Sequence, residues 1–341
     1  MNIKNVAKVN EPIITICPII ASTLSILGDD SNTCNWISNN FLQLMHMESN
    51  VLSMFVTFME HHAKENDTIL VNNPNFDSIK LKKSYISGLF QSFFDFIVFT
   101  IDKGYCIHVS LDRYYLSASG DYGTNHFLHP VLIYGYDTET KMIAIKEYFI
   151  NNKYSKYTIP INEIENAFST DVKCINWHDE YIEDVYIAKK KESDYTIDVD
   201  TKIIKRGLLD FLESKDSTMK FYGSYRWSDC TCVYGVNAID KIILDISTAS
   251  IDLRSLQTIC DYIKIMEFRL ENLYKNKIIT ITAMERLFDT CVHTACEAIL
   301  FRNLWIKSDI KKQYDIKGLK VKFEKLTTHI CELVNDVLRA M

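Results

Sequence analysis

HFLHPVLIYGYDTETKMIAIKEYF, residues 126–149, decides the fold. It reads as two strands joined by a tight turn. Val131, Leu132, Ile133 and Tyr134 form an apolar, partly β-branched run that ends at Gly135. Asp137 to Lys141 (DTETK) is a polar turn, and Met142 to Phe149 begins the second strand. His129 stands at the mouth of the first strand and Glu147 near the end of the second. In an antiparallel pair such positions can face each other, and the carboxylate then orients the imidazole. This is two thirds of a nucleophile–base–orienter set and needs a nucleophile from elsewhere in the chain.

The N-terminal side supplies one. Cys17-Pro18 precedes IIASTLSILG, where Ile20, Leu24 and Leu27 fall on one face at helical spacing and Gly28 can end the helix. Pro at the first helical position is favourable, because its missing N–H would have had no partner. Cys17 therefore sits at a helix N-terminus. There the positive end of the helix dipole favours thiolate, and unpaired N–H groups can hold an oxyanion. No other cysteine has that setting so plainly. The competing reading is a Cys17 that fills the core as a small hydrophobe.

The totals fit a globular chain of one large or two ordinary domains: 341 residues, 47% hydrophobic and 24% charged. The formal net charge of −6 argues against a general nucleic-acid binder. Ten glycines and five prolines are too few for long flexible linkers. No run approaches eighteen apolar residues, and Glu11 and Pro12 interrupt the N-terminus, so neither a membrane span nor a secretion signal is expected. The expected location is cytoplasmic, and the ten cysteines are expected to be free thiols.

In chain order, Ile13–Ile16 is strand-like. Residues 34–65 read as a helix burying Trp36, Phe41, Leu44, Met45, Leu52, Phe55 and Phe58, and a loop follows around Asn72–Asn75. A second apolar helix covers 84–102, and YCIHVSLDRYYLS (105–117) alternates in part, as a strand does. A helix at 161–169 and a strand at 181–188 come next. KKKESD, 189–194, is the best boundary, being charged and without apolar periodicity. Beyond it, residues 203–214 are an amphipathic helix and 217–232 an irregular link. Helices at 234–246, 252–275, 281–306 and 315–340, joined by short loops, suggest a bundle.

Other constellations are weaker. His126, in the loop before the strand, is the runner-up base. Asp137 reads as a turn former. Cys291, His293 and Cys296 do not share one helix face, and Cys230-Thr231-Cys232 has no second ligand pair, so no metal is expected. Glu60-His61-His62 reads as a helix end. No glycine-rich phosphate loop and no G-x-S-x-G elbow occurs, and no cofactor is expected.

At this point CPIIASTLSILGDD (17–30) resembles the nucleophile helix, and HPVLIYGYD (129–137) the His strand, of the papain-like domain found in butirosin biosynthesis protein H and its relatives. VSLDRYYLS (109–117), with Tyr122, resembles the strand and aromatic loop before that His. DVDTKIIKRGLLDFLES (198–214) and IDLRSLQTICDYIKIMEFRL (251–270) resemble later helices of the variant found in thiotemplated peptide clusters. The resemblance implies an α+β, papain-like (cysteine protease) fold: an N-terminal nucleophile helix, an antiparallel sheet and an added C-terminal helical bundle. Residues 1–190 would form the catalytic core, and 191–341 a mostly helical domain packed on it.

It also implies an activity, that of a cysteine acyltransferase. Such proteins take an acyl or peptidyl chain as a thioester from a carrier protein and hand it to an amine. The chain resembles amide synthases of the closthioamide type, which use a short diamine. The implied catalytic set is Cys17, His129 and Glu147, and the partners are a carrier protein with phosphopantetheine-bound substrate and a small amine. Two departures stand out. The third triad position is usually Asp or Asn, and here it is Glu147. The Gln that assists the oxyanion shortly before the Cys is missing, with Glu11 near its position and Asn10 beside it, so the Cys17 N–H or Asn10 would serve. A cysteine peptidase or thioester hydrolase would use the same triad, and a binding module on a dead protease fold would use none of it.

Overall fold

The computed structural model describes residues 5–49, 55–59, 68–71, 73–150, 152–170, 183–192, 195–217 and 230–341. Its elements begin with β1 (Asn5–Val6), α1 (Pro18–Ile26), α2 (Ser31–Asn39), β2 (Leu44–Ser49), β3 (Thr57–Phe58), β4 (Phe76–Lys82), α3 (Lys83–Leu89) and α4 (Phe93–Ile101). There follow β5 (Cys106–Asp112), β6 (Leu128–Asp137), β7 (Met142–Glu147), β8 (Ser155–Pro160), α5 (Ile161–Phe168) and β9 (Asp184–Lys190). The remainder carries α6 (Thr201–Leu212), β10 (Cys230–Tyr234), α7 (Gly235–Thr248), α8 (Leu253–Lys275), α9 (Ile281–Lys311) and α10 (Ile316–Ala340). The fold is mixed α+β, and all described strand pairs are antiparallel. Among the described residues no single helix is long and apolar enough to cross a membrane.

The chain divides into two compact units, residues 1–28 with 67–194, and residues 29–66 with 195–341. Residues 29–66 belong to the second unit, although they precede most of the first in sequence.

The first unit is built on a sheet in the order β4-β9-β5-β6-β7-β8, with β1 paired to β6. The 126–149 stretch supplies its centre as read: β6 and β7 pair through Leu132↔Lys146 and Ile133↔Ile145, with a register shift between Ile133 and Gly135. Asp137 makes the turn, its Oδ1 accepting from the N–H groups of Glu139 and Thr140. Alternation along the strands sends Ile107, Val109, Leu111, Val131, Ile133, Ile143 and Ile145 into one core with Phe93, Phe96 and Ile97 of α4 and Phe168 of α5. Each such side chain contributes ~1.5–3 kcal/mol by leaving water. The out-of-phase residues meet α1 on the other face. His108 Nδ1 lies 3.0 Å from Ser22 Oγ, and Lys146 Nζ reaches Ser25 Oγ at 3.3 Å.

The second unit holds a small sheet, β10-β2-β3, and helices α7 to α10. Arg269 of α8, fully buried, donates to the carbonyls of Ser38, Asn40 and Phe41, which α2 leaves unpaired at its end. Gly235 opens α7 with φ +55, and a Cβ there would lie 2.0 Å from the Phe211 carbonyl oxygen, so only glycine fits.

Three expectations are corrected. The helix expected over 34–65 stops at Asn39, and Leu44–Ser49 is the strand β2, held in register by β10 from Ser49↔Cys230 to Met45↔Tyr234. Leu and Met favour helix, but pairing with a distant segment overrides that weak preference. Ile13–Ile16 is not a strand; the N-terminal strand is Asn5–Val6. Phe76–Lys82, read as following a loop with no strand of its own, pairs with β9 along its whole length. The Glu60-His61-His62 reading lies outside the described residues.

Candidate active site

Cys17 is the N-cap residue of α1, with extended backbone (φ −121, ψ 128), and Pro18 follows in the first turn. Its carbonyl accepts the first helical bond from Ala21 N–H at 2.8 Å. Its side chain makes no capping hydrogen bond, so the thiol does not take up the first-turn amides. The residue is 2% exposed.

β5 and β6 place the imidazole, with Leu111 directly opposite His129. Glu147 ends β7 and is fully buried, and its Oε1 accepts from the His129 Nδ1–H in a short contact. That bond assigns the proton to Nδ1 and leaves the Nε2 lone pair to act as a base. A third group completes the cluster. Arg113, just beyond β5, donates from Nη2 to the same Glu147 Oε1 at 2.5 Å, and this nitrogen also lies 3.2 Å from His129 Nδ1. The guanidinium sits over the rings of Phe127 and Phe149, at 5.2 and 5.7 Å.

These contacts set the charges. Burial pushes the Glu147 carboxyl upward, but the hydrogen bond and charge of His129 and then of Arg113 outweigh it and hold the pKa below its ordinary value. Burial lowers the His129 pKa; the Glu147 bond and charge oppose that, and Arg113 adds to it, with the net result below the ordinary imidazole value. The pair therefore rests as ionised Glu147 and neutral His129 at neutral pH. Glu147 Oε2 and Arg113 Nε are buried without a hydrogen-bond partner.

His129 and Glu147 are thus brought together as read, and Cys17 stands on the helix that packs against β5 and β6. The ring of His129 contacts Glu147, Arg113, Phe127 and Tyr148. Tyr148 connects the two parts. Its hydroxyl donates to the Thr15 carbonyl at 2.5 Å, two residues before Cys17, and its ring meets His129 edge-on with centroids 6.0 Å apart. It also packs with Tyr154 and Ala21 of α1.

Asn10 does not reach the thiol. Its Nδ2 donates to the Leu27 carbonyl, and its N–H to that of Ser25, both at the C-terminal end of α1. A helix of nine residues puts that end about 13 Å from the N-cap. Its own carbonyl accepts from Lys146 Nζ at 2.6 Å, and Glu11 pairs with Lys146 and Lys156. Neither residue can assist or oppose an oxyanion at Cys17, which leaves the backbone amides at the start of α1 as the donors on offer.

No protein-family model matches the chain, and no curated protein matches it.

His126, the runner-up base, lies in the loop before β6 and belongs to a different pair. Its Nδ1 bonds Asp112 Oδ2 at 2.6 Å, and its ring stacks on Tyr114 at 4.1 Å. Arg113 was not legible as a site residue. The only sequence signal was a charged Asp-Arg pair closing an apolar strand, and its partner Glu147 lies 34 residues on. The Cys291, His293 and Cys296 side chains do not converge: Cys291 is buried, with its thiol pushed up to about 12 by burial, and Cys296 is exposed.

Proposed function

We propose that this protein is a papain-like cysteine acyltransferase that moves a carrier-bound acyl or peptidyl group to an amine, forming an amide. The observation that carries the reading is the buried Glu147–His129 pair, held by Arg113, with His129 on β6, one of the strands against which the Cys17 helix packs. A buried carboxylate that fixes an imidazole tautomer, with an N-cap cysteine in the same unit, supplies the groups that nucleophilic acyl transfer requires.

In this reading Cys17 Sγ loses its proton to His129 Nε2 and attacks the thioester carbonyl. The carrier's phosphopantetheine thiol leaves with that proton, and an acyl thioester remains on Cys17. The amine nitrogen then attacks the same carbon, and its proton passes through His129 to the departing Cys17 sulfur. Glu147 stabilises the imidazolium in both half-reactions, and first-turn amides of α1 receive the oxyanion. Thioester exchange is nearly thermoneutral, so the transfer is self-contained.

Mixing the protein with acyl-loaded carrier protein and recording intact mass tests this. The expected result is an adduct of the acyl mass, absent from Cys17→Ala, that a short diamine discharges to amide. Release of free acid at the same rate with and without diamine would leave a hydrolase. No adduct, with Cys17 slow toward iodoacetamide, would leave a binding module.

A further inference from the structure

The second unit holds a cluster that the acyl-transfer reading does not use. His293 and Glu297 are four residues apart on α9 and so project on one side of that helix. His329 comes from α10, which packs against α9. One ligand atom from each of the three lies within 4.8 Å of the others. His329 Nδ1 meets Glu297 Oε2 at 2.5 Å, and the two imidazole centroids are 6.0 Å apart. The backbones are fixed from behind. Cys291, Thr294, Ala298 and Phe301 bury the inner side of α9, and Phe301 packs on Phe323 of α10 with centroids 4.9 Å apart. The side-chain tips are partly exposed, so an ion can enter and the rings can adjust.

We propose that His293, Glu297 and His329 bind one divalent transition-metal ion of the zinc type, with a fourth position left to water. Two imidazoles and one carboxylate are a zinc ligand set, and that composition disfavours magnesium or calcium, which take oxygen ligands. A tetrahedral ion with bonds of about 2.0–2.1 Å needs ligand atoms roughly 3.3 Å apart. The cluster reaches that by small rotations of three side chains on two rigid helices. The one opposing feature is Lys325, whose Nζ lies 3.5 Å from Glu297 Oε1 and is free to swing into solvent. A bound ion would tie α9 to α10 within the second unit.

The test uses the full chain without an affinity tag, with zinc alone as the ligand, followed by calorimetry and a competing chelator dye. One equivalent should bind with micromolar or tighter affinity. His293→Ala and His329→Ala should each weaken it at least tenfold, with unchanged circular dichroism showing intact folds. Lys325→Met should tighten it several-fold by removing the competing cation. Cys296→Ser should leave it unchanged, and the cobalt form should lack a thiolate charge-transfer band. Absence of stoichiometric binding, binding indifferent to both His variants, or binding lost with Cys296 would each overturn the proposal.

Discussion

Replacing Arg113 by Met tests the electrostatic core of the candidate site. Glu147 is fully buried and the Arg113 side chain is 13% exposed, so the pair is close to fully desolvated. Removing one partner of a buried ion pair costs about 3–5 kcal/mol, because the other charge is left uncompensated. Two features place Arg113→Met at the lower end. Glu147 keeps His129, and an unbranched Met side chain can pack against the rings of Phe127 and Phe149 that the guanidinium covers. A loss of about 3 kcal/mol at pH 7.5 is expected. The sign with pH follows from Glu147. Its folded pKa is depressed, so its contribution is present above its unfolded value and fades as pH falls through the folded one. Without Arg113 that depression shrinks, so the penalty is largest at neutral pH and smaller near pH 4. Urea unfolding followed by circular dichroism at both pH values measures it. Glu147→Gln removes the buried charge, so the double variant should recover about 2 kcal/mol relative to additivity. A single-variant loss under 1 kcal/mol, or losses that add within about 0.5 kcal/mol, would refute the argument.

Four further outcomes are expected. Cys17→Ala should abolish the mass adduct while moving the urea midpoint little, since only one sulfur is lost. His129→Ala should abolish turnover as fully, and Glu147→Gln should retain more activity, because both donors converge on Oε1 and an amide carbonyl can take its place; activity lost in His126→Ala but kept in His129→Ala would shift the base to the Asp112 pair. The His108 pKa lies at about 3, lowered first by burial and then by the His129 charge, so the unfolded chain takes up this proton first on acidification. Stability should therefore fall by ~1.5–2 kcal/mol between pH 6.5 and 5 from this residue alone, and His108→Asn, which can keep a bond to Ser22, should flatten that slope. A chain ending at residue 194 should fail to give soluble protein, because Asn35, Ser38 and Phe41 lose their bonds to Asn272 and Arg269; a well-folded fragment by heteronuclear NMR would contradict it.

What could be read from the sequence was local. The β6–β7 hairpin announces itself through β-branched runs around a polar turn, and α8, α9 and α10 as long helices joined by short loops. The pairing of His129 with Glu147 followed from strand adjacency. What could not be read was set at a distance. β2 is a strand because β10, more than 180 residues later, supplies its partner. Arg113 joins the site because β5 and β7 both flank β6, an order that no spacing states. Asn10 was misplaced for a similar reason: proximity in sequence to Cys17 said nothing about which end of α1 the lead-in crosses.

The grouping of residues 29–66 with the C-terminal half also sets a timetable for synthesis. The carbonyls at Ser38 and Asn40 wait for Arg269, separated from it by 231 and 229 residues. At roughly 5–20 residues per second, a nascent chain would display that early segment for about 10–50 s before its partner is made. During that interval Trp36, Phe41, Leu42 and Leu44 have no core to enter. The first unit can close around its sheet once residue 190 has emerged, while the second must hold an apolar stretch in waiting until Arg269 has been made. Chaperone capture of ribosome-bound chains arrested between residues 60 and 250 should therefore map to residues 29–49.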